Sequence, residues 1–120
     1  MIDHISIRVA DYERSKRFYV LSLAPLGYSL LMESSSGAGF RKGFIPDFWI
    51  KQGEPSLTVH VAFASPDRVT VDAFYQAAIA AGATDNGPPG LRPQYHPSYY
   101  GAFVRDPDGY NIEAVCHKAE

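Results

Sequence analysis

Three residues stand out for the chemistry their types allow. His4 and His60 are imidazoles set 56 residues apart, each near the start of an alternating stretch. Glu113 lies close to the end of the chain, between Ile112 and Ala114. Imidazole nitrogens and carboxylates are ligands for Fe(II), Mn(II), Zn(II) or Co(II), and such sets leave coordination positions free for water or substrate. Taken singly, a strand histidine more often just makes a hydrogen bond. What separates the two uses is where the backbone puts these side chains.

The surrounding pattern says a good deal about that. Ile2 to Val9 alternates, with Ile5, Ile7 and Val9 on one face and His4, Ser6 and Arg8 on the other, so it reads as a strand with one polar face. Asp11 is an N-cap for the helix that follows, which buries Ser15, Phe18 and Tyr19 and must stop ahead of Pro25. Tyr28 to Glu33, Gly39 to Phe44 and Asp47 to Lys51 read as short strands. The second half starts over. Leu57 to Ser65 is a strand with Val59, Val61 and Phe63 on one side and Thr58, His60, Ala62 and Ala64 on the other. Ser65-Pro66 is expected to open a helix carrying Val71, Phe74, Ala78 and Ala81 at helical spacing, ended by Gly82. After a Gly/Pro loop, Tyr99 to Arg105 and Tyr110 to His117 read as strands joined by Asp106-Pro107-Asp108-Gly109. Shifting the chain by 56 residues lays His4 on His60, Phe18 on Phe74 and Tyr19 on Tyr75.

Bulk properties narrow the partners. With 120 residues, 46 % of them hydrophobic and 20 % charged, the chain suits one domain with a sizeable core. A net charge of −2 supplies no basic surface for a phosphate backbone, so nucleic acid is not expected. One cysteine, Cys116, forms no internal disulfide and suits a reducing cytoplasm; it is expected to be buried and inert. No signal peptide or membrane span is read from the start of the chain.

Three stretches, "MIDHISIRVADYERSKRFY", "LTVHVAFAS" with its helix, and "YYGAFVRDPDGYNIEAV", resemble the vicinal-oxygen-chelate superfamily. That superfamily includes glyoxalase I, extradiol dioxygenases, fosfomycin-resistance thiol transferases and bleomycin-resistance proteins. The resemblance implies an α+β fold of two βαβββ modules, about 1–53 and 56–117 within a single domain 1–120, forming a curled mixed sheet around a metal and substrate cup. It implies one divalent ion per site (Fe, Mn, Zn, Co or Ni) held by His4, His60 and Glu113, and a homodimer, in some relatives with modules exchanged between subunits. The implied activity is that of a metal-dependent lyase or isomerase, transferase or dioxygenase acting on a small vicinally oxygenated molecule. The alternative is a metal-free drug-sequestration protein of the bleomycin-resistance type. The fourth carboxylate ligand of glyoxalase I has no match here, because Asp47 comes too early and Lys51 is a cation. The potassium loop of the fosfomycin group is not matched either.

Further candidates surround that set. Arg8, on the His4 side of its strand, either pairs a substrate anion bidentately or bridges an internal acid or reaches solvent. Glu113, Tyr100 and Arg8 are the expected catalytic residues, and Arg92, Tyr95, His96 and Tyr99 the expected substrate-binding ones, crowded on one loop and strand entry. Each of that second group has a plainer reading as packing or as exposed loop. Phe48 and Trp49 are expected in the core or a dimer interface, and Glu13, Arg14, Lys16 and Arg17 on a solvated helix face.

Overall fold

A computed structural model describes residues 2–55 and 59–119. The first half runs β1 (Ile5–Val9), α1 (Tyr12–Leu23), a short 3-10 turn at Ala24–Leu26, β2 (Ser29–Glu33), β3 (Gly37–Arg41) and β4 (Phe48–Gln52). The second runs β5 (His60–Ala64), α2 (Arg68–Ala80), β6 (Thr84–Asp85), β7 (Gly90–Leu91), β8 (Tyr100–Arg105) and β9 (Asn111–Cys116). Each half makes a sheet with its helix on one face. The first sheet has the order β1-β4-β3-β2, parallel only between β1 and β4. The second has β5-β9-β8-β6, parallel only between β5 and β9, with β7 paired to β8. This is an α+β fold with two mixed, curled sheets.

The helices form where local chemistry starts and stops them. Asp11 caps α1 by accepting the Arg14 N–H at 3.2 Å. Tyr12, Ser15, Phe18, Tyr19, Ser22 and Leu23 make its buried face. Pro25 ends it, and Gly27 turns the chain with φ +83°, a left-handed conformation that costs glycine little. The start of α2 differs from the expectation of a helix opened at Ser65-Pro66. Its N-cap is Asp67, whose carboxylate accepts from Thr70 N at 2.8 Å. Ser65 is still committed to the sheet, because its N–H donates to Val115 O at 2.8 Å.

Other boundaries move for similar reasons. The β3 strand begins at Gly37 rather than Gly39, because Ser34 N bonds Gly37 O at 2.8 Å and closes a tight hairpin. The Gly/Pro loop after α2 contains β6 and β7, each two residues long. The Leu57 and Thr58 part of the expected fifth strand lies outside the described residues.

The two halves share one core. Phe63 of β5 makes edge contacts to Tyr28 and Phe48 of the first half, with ring centroids 5.2 Å apart in both cases. Tyr19 is fully buried, 5.0 Å from Phe48, and its hydroxyl donates to Asp106 in the turn between β8 and β9. The Tyr110 hydroxyl donates to Arg8 O, fastening that turn to β1. Cys116 is buried, as expected. Among the described residues no helix is long and apolar enough to cross a membrane.

Candidate functional site

The β5/β9 pair places the site. His60 lies opposite Asn111 and Ala62 opposite Glu113, so His60 and Glu113 share the sheet face turned away from the helices. Ala62 is small and leaves the Glu113 carboxylate room. His60 Nε2 stands 2.9 Å from Glu113 Oε1. The other carboxylate oxygen, Oε2, accepts the Tyr99 hydroxyl. Glu113 is only 1 % exposed, whereas the His60 side chain is half exposed and faces the open side.

The arrangement depends on a close approach at Gly101. A Cβ there would lie 3.2 Å from Glu113 Oε2 and 3.1 Å from a Tyr99 ring carbon, so any larger residue would displace one of them. Burial first, and the neighbouring Glu113 carboxylate second, push the Tyr99 phenol well above its ordinary pKa. Tyr99 therefore remains a hydrogen-bond donor across the physiological range.

Around the pair stand Tyr95, Tyr99 and Phe103, which with His60 and Glu113 line an aromatic-walled pocket. Phe103 lies opposite Glu113 on β8 and was not singled out in the sequence. Arg92 covers it from outside, its guanidinium 5.4 Å from the ring centroid and donating to Pro88 O at 2.7 Å. Arg92 thus serves as a roof over the pocket wall, with its donors turned to backbone.

Tyr100 is not at this site. Its hydroxyl donates to Asp72 of α2 at 2.7 Å, and Arg68 lies over its ring at 5.1 Å. Strand alternation explains the correction: Gly101 and Phe103 face the pocket, so Tyr100 must face the helix. His96 is drawn to a partner the sequence reading missed. Its Nδ1 accepts the Ser98 N–H at 3.1 Å, which leaves the ring proton on Nε2, and Nε2 lies 2.8 Å from His117 Nδ1. Glu113, Val115 and His117 alternate on one strand face, and that parity is the signal that would have found His117. The two rings flank Tyr99 at 5.5 and 5.3 Å, so the histidine pair fastens the Tyr95–Tyr99 loop to the end of β9. We predict that His117→Ala lowers hydrogen-exchange protection of the Arg92 and Tyr99 amides by about fivefold, near 1 kcal/mol, the worth of one hydrogen bond. Unchanged protection in that loop would show the pair to be incidental.

His4 does not converge with the His60–Glu113 pair, although it borders a cavity that His60 also lines. His4 is largely exposed, bonds Asp3 at 2.7 Å, and lines a cavity shared by the first residues of β1, Asp47 and Phe48, and the β5 strand including His60. Among the described residues no three His, Cys, Asp or Glu side chains converge as a metal-binding group. The donor chemistry of the pair does fit an ion. Two ligand atoms each about 2.1 Å from one ion and at right angles stand about 3 Å apart, and His60 Nε2 and Glu113 Oε1 are 2.9 Å apart. Asp47 borders the same cavity as His4 and His60; its Oδ2 accepts the Tyr28 hydroxyl at 3.0 Å with Arg41 3.6 Å away, while its Oδ1 is buried without a hydrogen-bond partner among the described residues. Arg8 is exposed on the face of β1 that carries Ser6.

A mixed two-sheet cup whose second half carries a buried carboxylate beside an imidazole defines a class of small α+β proteins, and comparison with known proteins narrows it. No family model matches the chain. A glyoxalase/bleomycin resistance protein from Albidiferax ferrireducens T118 is 32 % identical, superimposes with a TM-score of 0.81, and is covered over 97 % of its length by 96 % of this chain. The metallothiol transferase FosB of Shouchella clausii is 31 % identical over 116 residues, 93 % of this chain and 77 % of that protein. An uncharacterised protein of Bacillus subtilis, YqjT, is 28 % identical over 94 % of this chain and 96 % of its own length. The chain belongs to the vicinal-oxygen-chelate superfamily, with the glyoxalase and bleomycin-resistance proteins.

Proposed function

We propose that the chain is a small metal-dependent enzyme acting on a vicinally oxygenated molecule, with His60, Glu113 and His4 as the ligands and His4 supplied by a second copy of the chain. The observation that carries this reading is the His60–Glu113 pair, 2.9 Å apart with the carboxylate buried. A carboxylate taken out of water needs compensation, and one imidazole and one phenol supply only part of it. The relative named as a metallothiol transferase supports metal use.

When bound, a divalent ion would polarise two adjacent substrate oxygens and stabilise an oxyanion or enolate. The chain's own groups do the rest. Tyr99 fixes the direction of the Glu113 carboxylate through Oε2 and leaves Oε1 toward the open side. Phe103, Tyr95 and Tyr99 exclude water from one flank of the pocket. Lyase or isomerase, transferase and dioxygenase chemistry all use this much of a site, so the scaffold alone does not choose among them.

The ion is one of Fe, Mn, Zn, Co or Ni. Elemental analysis of protein purified without a metal-binding tag should give one divalent ion per site. Sedimentation should give a homodimer, twice the 13.2 kDa chain mass. Mixing His4→Ala with Glu113→Ala subunits should restore part of the metal binding that each lacks alone. A monomer at micromolar concentration that binds no metal would overturn the proposal. The aromatic walls of the pocket also suit the second reading, a metal-free protein that sequesters planar ligands. That reading requires such ligands to bind equally well in EDTA.

A further inference from the structure

Two imidazoles beside the aromatic-walled pocket touch each other, and their neighbours fix which nitrogens carry protons. His96 Nδ1 accepts the Ser98 N–H at 3.1 Å. A neutral His96 therefore carries its proton on Nε2, and that N–H donates to His117 Nδ1 at 2.8 Å. His117 Nδ1 must then be a bare acceptor, so a neutral His117 carries its own proton on Nε2. The two rings are stacked, with centroids 5.1 Å apart and planes 28° from parallel.

This geometry takes up no further proton without loss. A proton on His117 Nδ1 would point at the His96 N–H and break the bond between the rings. A proton on His96 Nδ1 would point at the Ser98 N–H and break the bond inside the loop. With both added, two stacked cations repel. The groups around the pair do not answer such a charge. Tyr99 packs on both rings, at 5.5 and 5.3 Å, and Tyr95 packs on Tyr99 at 4.8 Å. Glu113 lies beyond the Tyr99 hydroxyl and accepts from it. Cys116 is buried, while Lys118, next to His117, and Arg68, which reaches the Lys118 carbonyl at 3.5 Å, are cations, as is Arg92 at the start of the loop. Among the described residues no carboxylate lies within ion-pair distance of either ring.

What the pair holds is the segment that carries Tyr99. The segment closes on itself through Arg92 N–H to Tyr99 O at 2.8 Å and Tyr99 N–H to His96 O at 3.1 Å. The His96–His117 bond ties it to the end of β9, and Tyr99 in turn donates to Glu113 Oε2. We propose that His96 and His117 form a proton-operated latch: with both rings neutral it holds Tyr99 against Glu113, and on protonation it loosens the Tyr95–Tyr99 wall of the pocket. The two histidines are positioning residues, acting on the pocket through Tyr99. The latch goes beyond the proposed function and does not depend on a bound ion.

The test uses the full-length protein in EDTA, so its outcome bears on the latch and leaves the metal proposal to its own experiment. Long-range proton–nitrogen correlation spectra at about pH 8 should show protons on Nε2 of both His96 and His117. Amide exchange, corrected for the intrinsic rate, is then compared at about pH 8 and about pH 5, on either side of the ordinary imidazole range. Protection of the Arg92 and Tyr99 amides should fall about fivefold or more at the lower pH, relative to the Gly39 and Phe40 amides of β3, as the loss of one hydrogen bond implies. His96→Asn separates the latch from the other histidines. Its amide oxygen can accept from the Ser98 N–H, but it takes up no proton and is too short to reach His117. Protection in this variant should start about fivefold lower at the higher pH and show no further loss in acid. The proposal is overturned if His96 carries its proton on Nδ1 at the higher pH, or if the parent's loop is equally protected at both. It is also overturned if His96→Asn loses protection in acid as the parent does, which would point to His60 instead.

Discussion

Glu113→Ala should lower Co(II) or Mn(II) affinity by at least tenfold, about 1.4 kcal/mol, while leaving the two sheets folded. The carboxylate is the only charged side chain of β9 that faces the pocket, and it reaches His60 Nε2 through Oε1 at 2.9 Å. Removing it takes one donor from the proposed set of three and leaves His60 without its 2.9 Å partner. Glu113→Gln separates charge from shape. The amide keeps the volume and an acceptor for Tyr99 but lacks the negative charge, so its metal affinity should fall nearly as far as that of the alanine variant. Tyr99→Phe removes only the hydrogen bond that aims the carboxylate, and groups that orient metal ligands typically contribute 10- to 100-fold. Isothermal titration of the three variants gives the order. If Glu113→Ala, His60→Ala and His4→Ala all bind metal as the parent does, the ligand assignment is wrong. If only His4→Ala does, the third ligand comes from elsewhere.

Much of this was legible from alternation, and the failures show where alternation stops. His60 and Glu113 sit on strands whose apolar residues mark the helix side, so period two alone turns both toward the open side. The adjacent tyrosines at 99 and 100 could not be sorted by type. Only the register of β8 against β9 decides which one faces Glu113, and Tyr100 went to Asp72 instead. Phe103 was hidden for a related reason, since an aromatic in a strand reads as core until its parity is fixed by Gly101. The two-residue strands β6 and β7 are too short for any period to show. Ser65-Pro66 looked like a helix start by composition, but the sheet claimed Ser65 first. Where His4 stands relative to the His60–Glu113 pair depends on how the two halves, or two copies of the chain, meet, and no local pattern encodes that.

The largest loss of stability should follow Asp106→Ala, at about 3–5 kcal/mol. Asp106 opens the Asp-Pro-Asp-Gly turn and is 5 % exposed. Its Oδ1 accepts the Asp108 and Tyr110 N–H groups, each at 2.9 Å, and its Oδ2 accepts the hydroxyl of fully buried Tyr19. Alanine would leave the Tyr19 hydroxyl buried without an acceptor and the turn amides unanswered, and each such donor costs about 1–3 kcal/mol. The effect would spread to both halves, because Tyr19 belongs to α1 and the turn holds Ala10 N through Asp108 at 3.0 Å. Asp106→Asn should recover most of the loss, since its amide oxygen can serve the turn and the Tyr19 oxygen can accept from its NH2. Both substitutions also change the pH dependence. Burial, opposed by these hydrogen bonds, raises the folded Asp106 carboxyl above its ordinary pKa. The parent therefore holds this contribution below the ordinary carboxylate range and loses it as pH rises through the raised value. Neither variant has such a group, so the gap between the parent and each of them should narrow from acid toward neutral pH. Denaturant melts of parent, alanine and asparagine variants across that range measure both effects. An alanine variant within 1 kcal/mol of the parent would mean that the turn does not fasten the two halves as its hydrogen bonds indicate.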